Sequence, residues 1–255
     1  MGGEGVMFSN IKVIEYDVIG STNTEAKIYA QRTDARESVL FIASEQTAGR
    51  GRMGRSFLSR LGRGIYMSIL YFTRNSLADA ISITSAAAVI VARAIENAVG
   101  SPMKIKWVND IYNSRGKVAG ILVESLPLGD TTAIVVGVGI NVGDDDFPEA
   151  LCGIASSIGY VNDDQRKKIV SDIVSGILGR ADMGADMSFI GEYRSRSMLD
   201  GERVELFSAG ESIGCGRVEG ISDDGGLVVL FDGEQCPRVI RTGEVSVRKK
   251  QIDAQ

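Results

Sequence analysis

At Gly201 the chain changes texture. Up to that point apolar residues recur with two periods, alternating in short runs and spaced by three or four in longer ones, which marks strands mixed with helices. Beyond it, short Val/Leu/Ile runs are broken by Gly210, Gly214, Gly216, Gly220, the Asp223-Asp224-Gly225-Gly226 cluster, Asp232-Gly233 and Gly243. Glycine-rich turns at such close spacing suit a small β-barrel. Two units are therefore expected, residues 1–199 and 200–255, with no long linker at Leu199-Asp200-Gly201. A chain of 255 residues that is 44% hydrophobic builds a sizeable core without metals or disulfides.

In the first unit, a strand over Ile11–Tyr16 hands over to a helix through Gly20-Ser21-Thr22-Asn23, with Thr22 and Glu25 at capping-box spacing before Ala26–Ala30. The pattern predicts strands over Ser38–Ser44 and Gly64–Phe72 and a long Ala-rich buried helix over Leu77–Val99. Lys104–Val108 reads as a strand, Asn113–Gly116 as a turn, and Val118–Glu124 with Thr132–Asn141 as an antiparallel meander. Helices follow over Asp163–Arg180 and Asp186–Met198, the first with Ile169, Ile173 and Ile177 on one face.

Composition excludes several chemistries. No histidine is present, which removes a Ser-His-Asp triad, a Cys-His pair and imidazole-ligated zinc. Cys152, Cys215 and Cys236 never form C-x-x-C, so reduced thiols and a cytoplasmic setting are expected. A net charge of -5 does not favour duplex DNA. Met1–Asn10 shows no targeting segment. The most apolar stretches, Ala86–Ala92 and Ala133–Val142, fall short of the ~20 residues that span a bilayer, so no membrane segment is expected.

Against that acidic background, no acid occurs between Glu45 and Asp79, while Arg50, Arg52, Arg55, Arg60, Arg63 and Arg74 all do. Alternating glycine and arginine in Gly49-Arg50-Gly51-Arg52 lets backbone N–H groups and guanidinium forks converge on one anion, as a phosphate or mixed anhydride requires. A solvated basic loop and an RNA contact are the alternatives. Trp107 beside Asn109-Asp110 at a strand end fits either ligand groups or a core tryptophan before a turn. Lys117 at the mouth of the small, apolar strand Val118–Glu124 is either a surface residue or an electrophilic clamp. In Gly137-Val138-Gly139-Ile140-Asn141 the missing side chains allow something to approach the sheet closely. Neither a Rossmann nor a P-loop pattern is present, and Asp144-Asp145-Asp146 has no ordered metal-ligand spacing.

Taken in order, Gly20-Ser21-Thr22-Asn23, Gln46-Thr47-Ala48-Gly49-Arg50-Gly51-Arg52-Met53-Gly54-Arg55, Lys106-Trp107-Val108-Asn109-Asp110, Lys117–Glu124 and Gly137–Asn141 strongly resemble the biotin protein ligases. The likeness covers nearly the whole chain, since Gly201–Arg248 resembles the family's C-terminal SH3-like barrel with its Gly243-Glu244-Val245-Ser246 ending. It implies an α+β fold, a mixed sheet with helices akin to class II aminoacyl-tRNA synthetases, plus that barrel. Some members carry an N-terminal helix-turn-helix, which is not expected here, since only Met1–Asn10 precede the first strand in this sequence. The chain departs from the family at Val108 and near Arg60, where proline is usual, the first bearing on the turn before Asn109 and the second on the far end of the arginine loop.

The resemblance further implies an ATP-dependent enzyme that makes biotinyl-5′-adenylate from biotin and Mg-ATP, then biotinylates one lysine of a carboxyl-carrier domain. Arg50, Arg52, Lys117 and Asp110 are the implied catalytic groups. Ser21, Thr22, Asn23, Gln46, Gly49, Arg50, Gly51, Arg52 and Lys117 would hold biotin. Arg52, Arg55, Trp107, Asn109, Lys117 and Asn141 would hold the nucleotide, with Mg²⁺ near Asp110. The arginine loop is expected to close over the adenylate. The carrier is the implied partner, with no DNA and no membrane, and a sheet-to-sheet homodimer is a further expectation. The rival readings are a lipoate protein ligase, whose Arg-Arg-x-x-Gly-Gly-Gly type loop is absent here, and a phosphate- or RNA-binding module without turnover.

Overall fold

β1 (Lys12–Ile19), α1 (Thr22–Arg32) and β2 (Val39–Gln46) form a βαβ unit in which the two strands run parallel, Lys12 opposite Val39 and Ile19 opposite Gln46. The chain continues through β3 (Gly64–Thr73), α2 (Ala80–Val99), the short strands β4 (Lys104–Lys106) and β5 (Asp110–Tyr112), and the long hairpin β6 (Lys117–Leu128) and β7 (Thr131–Asn141). α3 (Asp163–Ala181) and α4 (Ile190–Arg196) lead to β8 (Arg203–Ser208), β9 (Glu211–Ile221), β10 (Leu227–Phe231), β11 (Arg238–Ile240) and β12 (Val245–Lys249). The first seven strands make one mixed sheet, ordered β1-β2-β3-β7-β6-β5-β4. The last five make an antiparallel sheet ordered β11-β10-β9-β8-β12, where the small barrel is expected. This computed structural model describes residues 11–74, 80–181, 186–208, 210–241 and 245–249. The expectations resting on Met1–Asn10, the Leu77 start of the long helix and the Gly243-Glu244 pair lie outside them.

The central strands are covered on both faces, which explains their near-continuous apolar sequence. Alternate residues feed two cores. Leu40, Ile65, Met67 and Ile69 face α2 and α3, while Val39, Phe41, Leu70, Ala133 and Val135 pack under Ala26 and Ala30 of α1. Ile81–Val99 is long and apolar enough, by length and composition alone, to cross a membrane, contrary to the expectation that no stretch reaches that length. It is the core helix: Ala88, Val91, Ala92 and Ile95 are fully buried.

Three local readings are corrected. Thr22 is the first helical residue rather than the cap; Ser21 takes the N-cap position with no side-chain cap bond, and the Thr22 hydroxyl turns instead to Gln46 and Ser68. The last helix of the first unit covers only Ile190–Arg196. Its expected first turn is replaced by one in which Asp186 accepts hydrogen bonds from the Ser188 amide at 2.9 Å and hydroxyl at 2.7 Å. Arg196 then ties α4 to α2 through Glu96 at 2.6 Å. The strand at Lys104 stops at Lys106 rather than Val108, whose carbonyl accepts the buried Tyr193 hydroxyl at 3.1 Å.

Candidate active site

Beyond the helix N-terminus, the face of the seven-stranded sheet that α1 covers carries a patch of glycines. Gly120 of β6 lies opposite Gly139 of β7, which lies opposite Tyr66 of β3; one pleat along, Leu122, Gly137 and Ser68 repeat the row. At Gly137 an added Cβ would sit 2.0 Å from Asn23 Oδ1, and at Gly139 2.6 Å from the Phe57 ring. The glycine-spaced strand thus has the close approach expected of it, made by the α1 start and the arginine loop. Above this floor opens a cleft, about 990 Å³ of empty space when the solvent at its mouth is included.

One end of the cleft is lined by uncharged polar side chains, most of them hydrogen-bonded to one another. Ser21, Thr22 and Asn23 are buried at the α1 start. Gln46 Oε1 accepts the Thr22 N–H at 2.9 Å, and Gln46 Nε2 donates to Ser59 Oγ at 2.9 Å. Ser68 Oγ lies 2.7 Å from Thr22 Oγ1 and 2.6 Å from Asn23 Oδ1. Asn23 Nδ2 donates to Glu124 Oε2 at 2.9 Å. Glu124 also pairs with Lys27 at 2.6 Å and, at 3.9 Å, with Arg50. Burial pushes its carboxyl up, but the hydrogen bonds from Lys27 and Asn23 and the nearby cations outweigh this and hold it below the usual carboxylate range.

The other end is cationic. Lys117 Nζ, at the start of β6, meets Asp110 Oδ1 of β5 at 2.7 Å. Arg52 enters from the loop and donates through Nη1 to Asn109 Oδ1 at 2.8 Å. Asn109 is itself fixed, its Nδ2 donating to Ile121 O at 2.8 Å. Arg52 Nη2 is buried and has no hydrogen-bond partner among the described residues. Burial lowers the guanidinium's affinity for its proton, opposed by the Asp110 charge. An unspent buried N–H on a cation is costly, and an anion in the cleft would satisfy it. The loop that presents Arg52 is braced by an Arg50–Ser56 bridge and by Gly51 N–H donating to Arg55 O at 2.7 Å.

Most residues expected from the sequence line this one cleft: Ser21, Thr22, Asn23, Gln46, Arg50, Gly51, Arg52, Arg55, Trp107, Asn109, Asp110 and Lys117. Gly49 and Asn141 do not. Gly49 is buried behind the loop, its carbonyl accepting the Phe57 N–H at 2.9 Å. Asn141 donates to Lys117 O at 3.4 Å and Ser156 O at 2.9 Å, so it acts on the backbone of Lys117 rather than at the cleft wall. Arg55 is exposed at the rim. The C-terminal sheet reaches the site as well: Val247 lines the cleft, and the β9–β10 turn accepts the Trp107 N–H at Gly225 O, 3.0 Å away.

Sequence reasoning overlooked Ser59, Ser68, Phe57 and Glu124. For Ser68 there was a signal, a lone serine inside the apolar run Ile65–Leu70. For Glu124 there was none, because its partners Asn23 and Lys27 lie about a hundred residues away.

The Biotin/lipoate A/B protein ligase family pattern matches residues 15–141. A biotin–[acetyl-CoA-carboxylase] ligase of Mycobacterium tuberculosis is 30% identical over 236 residues, covering 89% of this chain and 85% of that protein. The chain belongs to the biotin protein ligase family. The bifunctional ligase/repressor BirA of Bacillus spizizenii is 42% identical over 149 residues, 57% of this chain and 46% of that protein; the chain thus matches under half the length of this relative. Among solved structures, the biotin protein ligase of Aquifex aeolicus in complex with biotin and ATP matches with a TM-score of 0.77 at 26% identity, over 94% of this chain and 99% of that one. The expected α+β fold, a mixed sheet with helices and a C-terminal antiparallel sheet, is the fold this family member has.

Proposed function

We propose that the chain joins biotin to ATP as biotinyl-5′-AMP and passes the biotinyl group to one lysine of a biotin carboxyl carrier domain. The observation that carries this is a single cleft with a slot of hydrogen-bonded neutral side chains at one end and, at the other, an Arg52 guanidinium with a buried, unspent N–H beside the Lys117–Asp110 pair. A neutral heterocycle suits the first end; a carboxylate meeting a phosphate suits the second.

In the first half-reaction a biotin carboxylate oxygen forms a bond to the α-phosphorus of ATP while the bond to the β-phosphate oxygen breaks and pyrophosphate leaves. Two anions must approach, so Arg52 and Lys117 offset their repulsion and then the charge that builds on phosphorus. Arg50 adds charge at the rim. Asp110 and Asn109 aim Lys117 and Arg52, and Asn141 holds the Lys117 backbone. Trp107 offers its ring to the nucleotide side, its N–H being committed to Gly225, and Arg55 waits at the mouth. The loop closes over the adenylate. In the second half-reaction the neutral amine of the carrier lysine attacks the acyl carbon, and AMP leaves.

The residues present do not fit a protein-held Mg²⁺. Asp110 is the one carboxylate among the described lining residues and is ion-paired, and no group of three His, Cys, Asp or Glu side chains is gathered among the described residues. The metal belongs to the nucleotide as substrate. The proposal also includes a division into residues 1–199 and 200–255, a cytoplasmic setting for the three free cysteines, and pairing between copies along the sheet edge at β1.

Incubation with ATP and biotin should release pyrophosphate and add the biotinyl mass to a carrier domain. Turnover with lipoate instead would favour the lipoate ligase reading, and binding of phosphates with no pyrophosphate release would overturn the enzymatic one.

A further inference from the structure

We infer that Gly225, in the β9–β10 turn of the C-terminal sheet, positions the Trp107 ring, and that the sheet thereby sets how tightly the nucleotide end of the cleft holds ATP. This rests on the function proposed above and deepens it: a sheet whose one described lining residue is Val247 acts on substrate affinity through a hydrogen bond made behind the cleft wall.

Trp107 is buried and lines the cleft. Its N–H goes to Gly225 O at 3.0 Å, across 118 residues of sequence. Core packing fixes the plane of an indole, but a ring turned over about its Cβ–Cγ bond fills nearly the same slab. The two orientations differ in where the N–H points. Gly225 is buried as well, so the turned ring would leave a donor and an acceptor without partners and out of reach of water, a costly pair. The bond therefore decides which edge of the ring faces the C-terminal sheet and which faces the cleft.

The acceptor is held as firmly as the donor. Gly225 packs directly on α2, where an added Cβ would lie 3.3 Å from Ile81 Cγ2 and 3.5 Å from Ser85 Oγ, and its φ of +83° suits glycine alone. Within the turn the Gly225 N–H goes to Ser222 O at 3.0 Å and the Ser222 N–H to Gly226 O at 2.9 Å. Helix α4 braces both partners from adjacent residues: Tyr193 donates to Val108 O at 3.1 Å, next to the indole, and Arg194 donates through Nε to Ile221 O at 2.8 Å, at the entry to the turn.

Trp107 is the only tryptophan in the chain, so intrinsic fluorescence reads this contact directly. Two variants outside the cleft perturb the acceptor: Gly225→Ala, which strains the turn against Ile81, and Arg194→Met, which releases Ile221 O. Trp107→Phe keeps a ring and removes the donor. For these three, and for Trp107→Phe combined with Gly225→Ala, KM for ATP and for biotin is measured by pyrophosphate release, with thermal melting as the control for folding. Emission is recorded for the chains that keep Trp107.

KM for ATP should rise about tenfold in Gly225→Ala and in Trp107→Phe, the scale of one lost buried hydrogen bond, and by less in Arg194→Met, while KM for biotin holds. The emission maximum of Gly225→Ala should move from the native value. The double variant should be no worse than Trp107→Phe alone, because the acceptor acts only through the donor. Native KM for ATP in Gly225→Ala, a KM for biotin that rises in step with that for ATP, or effects that multiply in the double variant overturn the inference. Should Gly225→Ala melt below the assay temperature, Arg194→Met decides: a raised KM for ATP with shifted emission supports the inference, and native values overturn it. A native chain that releases no pyrophosphate from biotin and ATP overturns the proposed function instead, and the Kd for ATP read from Trp107 emission then tests the ring by itself.

Discussion

The two ends of the cleft are built on opposite principles. At the α1 end the side chains of Thr22, Asn23, Gln46 and Ser68 already have partners, supplied by one another and by neighbours on β2, β3 and β6. At the β5–β6 end Arg52 keeps a buried N–H without one. A saturated network holds its shape before the ligand arrives and so recognises a neutral molecule at little ordering cost. An unsaturated cation stores unfavourable desolvation that only an anion relieves, which suits groups whose work is to meet charge developing in a transition state.

The sharpest way to break this contrast is at the cationic end. Lys117→Ala should lower adenylate formation by about a hundredfold to a thousandfold, the usual cost of removing one charge-stabilising donor, with pyrophosphate release as the measurement. Arg52→Gln should cost as much, yet raise the melting temperature of the unliganded protein, because it removes an incompletely paired buried charge while still offering Asn109 a donor. If Arg52→Gln melts lower than the native chain, the end is not held in an unsatisfied state and the contrast fails.

At the neutral end the sensitive position is backbone. Gly137→Ala puts a Cβ 2.0 Å from Asn23 Oδ1, and Asn23 cannot yield without losing Glu124 or Ser68. Loss of about 1–3 kcal/mol of stability is expected from such overpacking, with KM for biotin up more than about tenfold if the network defines the slot. Gly139→Ala meets the ring of Phe57 at 2.6 Å instead, a half-buried side chain that can swing aside, so its effect on both measurements should be smaller. Equal effects at the two glycines would mean that the floor, and not the network above it, shapes the slot. Asn109→Ala, which releases Arg52 without removing it, should cost about tenfold in kcat with KM for biotin unchanged.

The same contrast governs what the sequence could reveal. The cationic end was legible because charge asymmetry is written locally: the arginine loop is one uninterrupted stretch without acids. The strands and core helices were legible through their periods. Ser68 and Glu124 were not, since they enter the site only because β3, β6 and β7 lie side by side with Ser68 and Leu122 flanking Gly137, and register between distant strands is a tertiary fact. The capping box at Thr22 misled for the same reason: a partner 24 residues away on β2 took the hydroxyl's environment over from the local helix start. The shortened last helix shows a local competitor winning, since the Asp186 turn supplies the backbone with bonds the helix would otherwise provide.

The smallest effect expected is in acid. Glu124 has a folded-state pKa held below its ordinary value of 4.5, so its contribution to stability is fully present above the unfolded value and is lost as pH falls through the folded one. The same titration would weaken the bonds by which Glu124 holds Asn23 and Lys27 beside the slot. Biotin affinity should therefore be flat from neutral pH down to about pH 5 and fall below it, by less in Glu124→Gln than in the native chain, because the variant has no carboxylate left to protonate. With no histidine anywhere in the chain, neither end of the cleft has a side chain that normally titrates between pH 5 and 8. A break in biotin affinity near pH 6.5 would mean that a group outside both ends controls the slot. A native curve and a Glu124→Gln curve that coincide in acid would show that this carboxylate, ionised or not, leaves the slot alone.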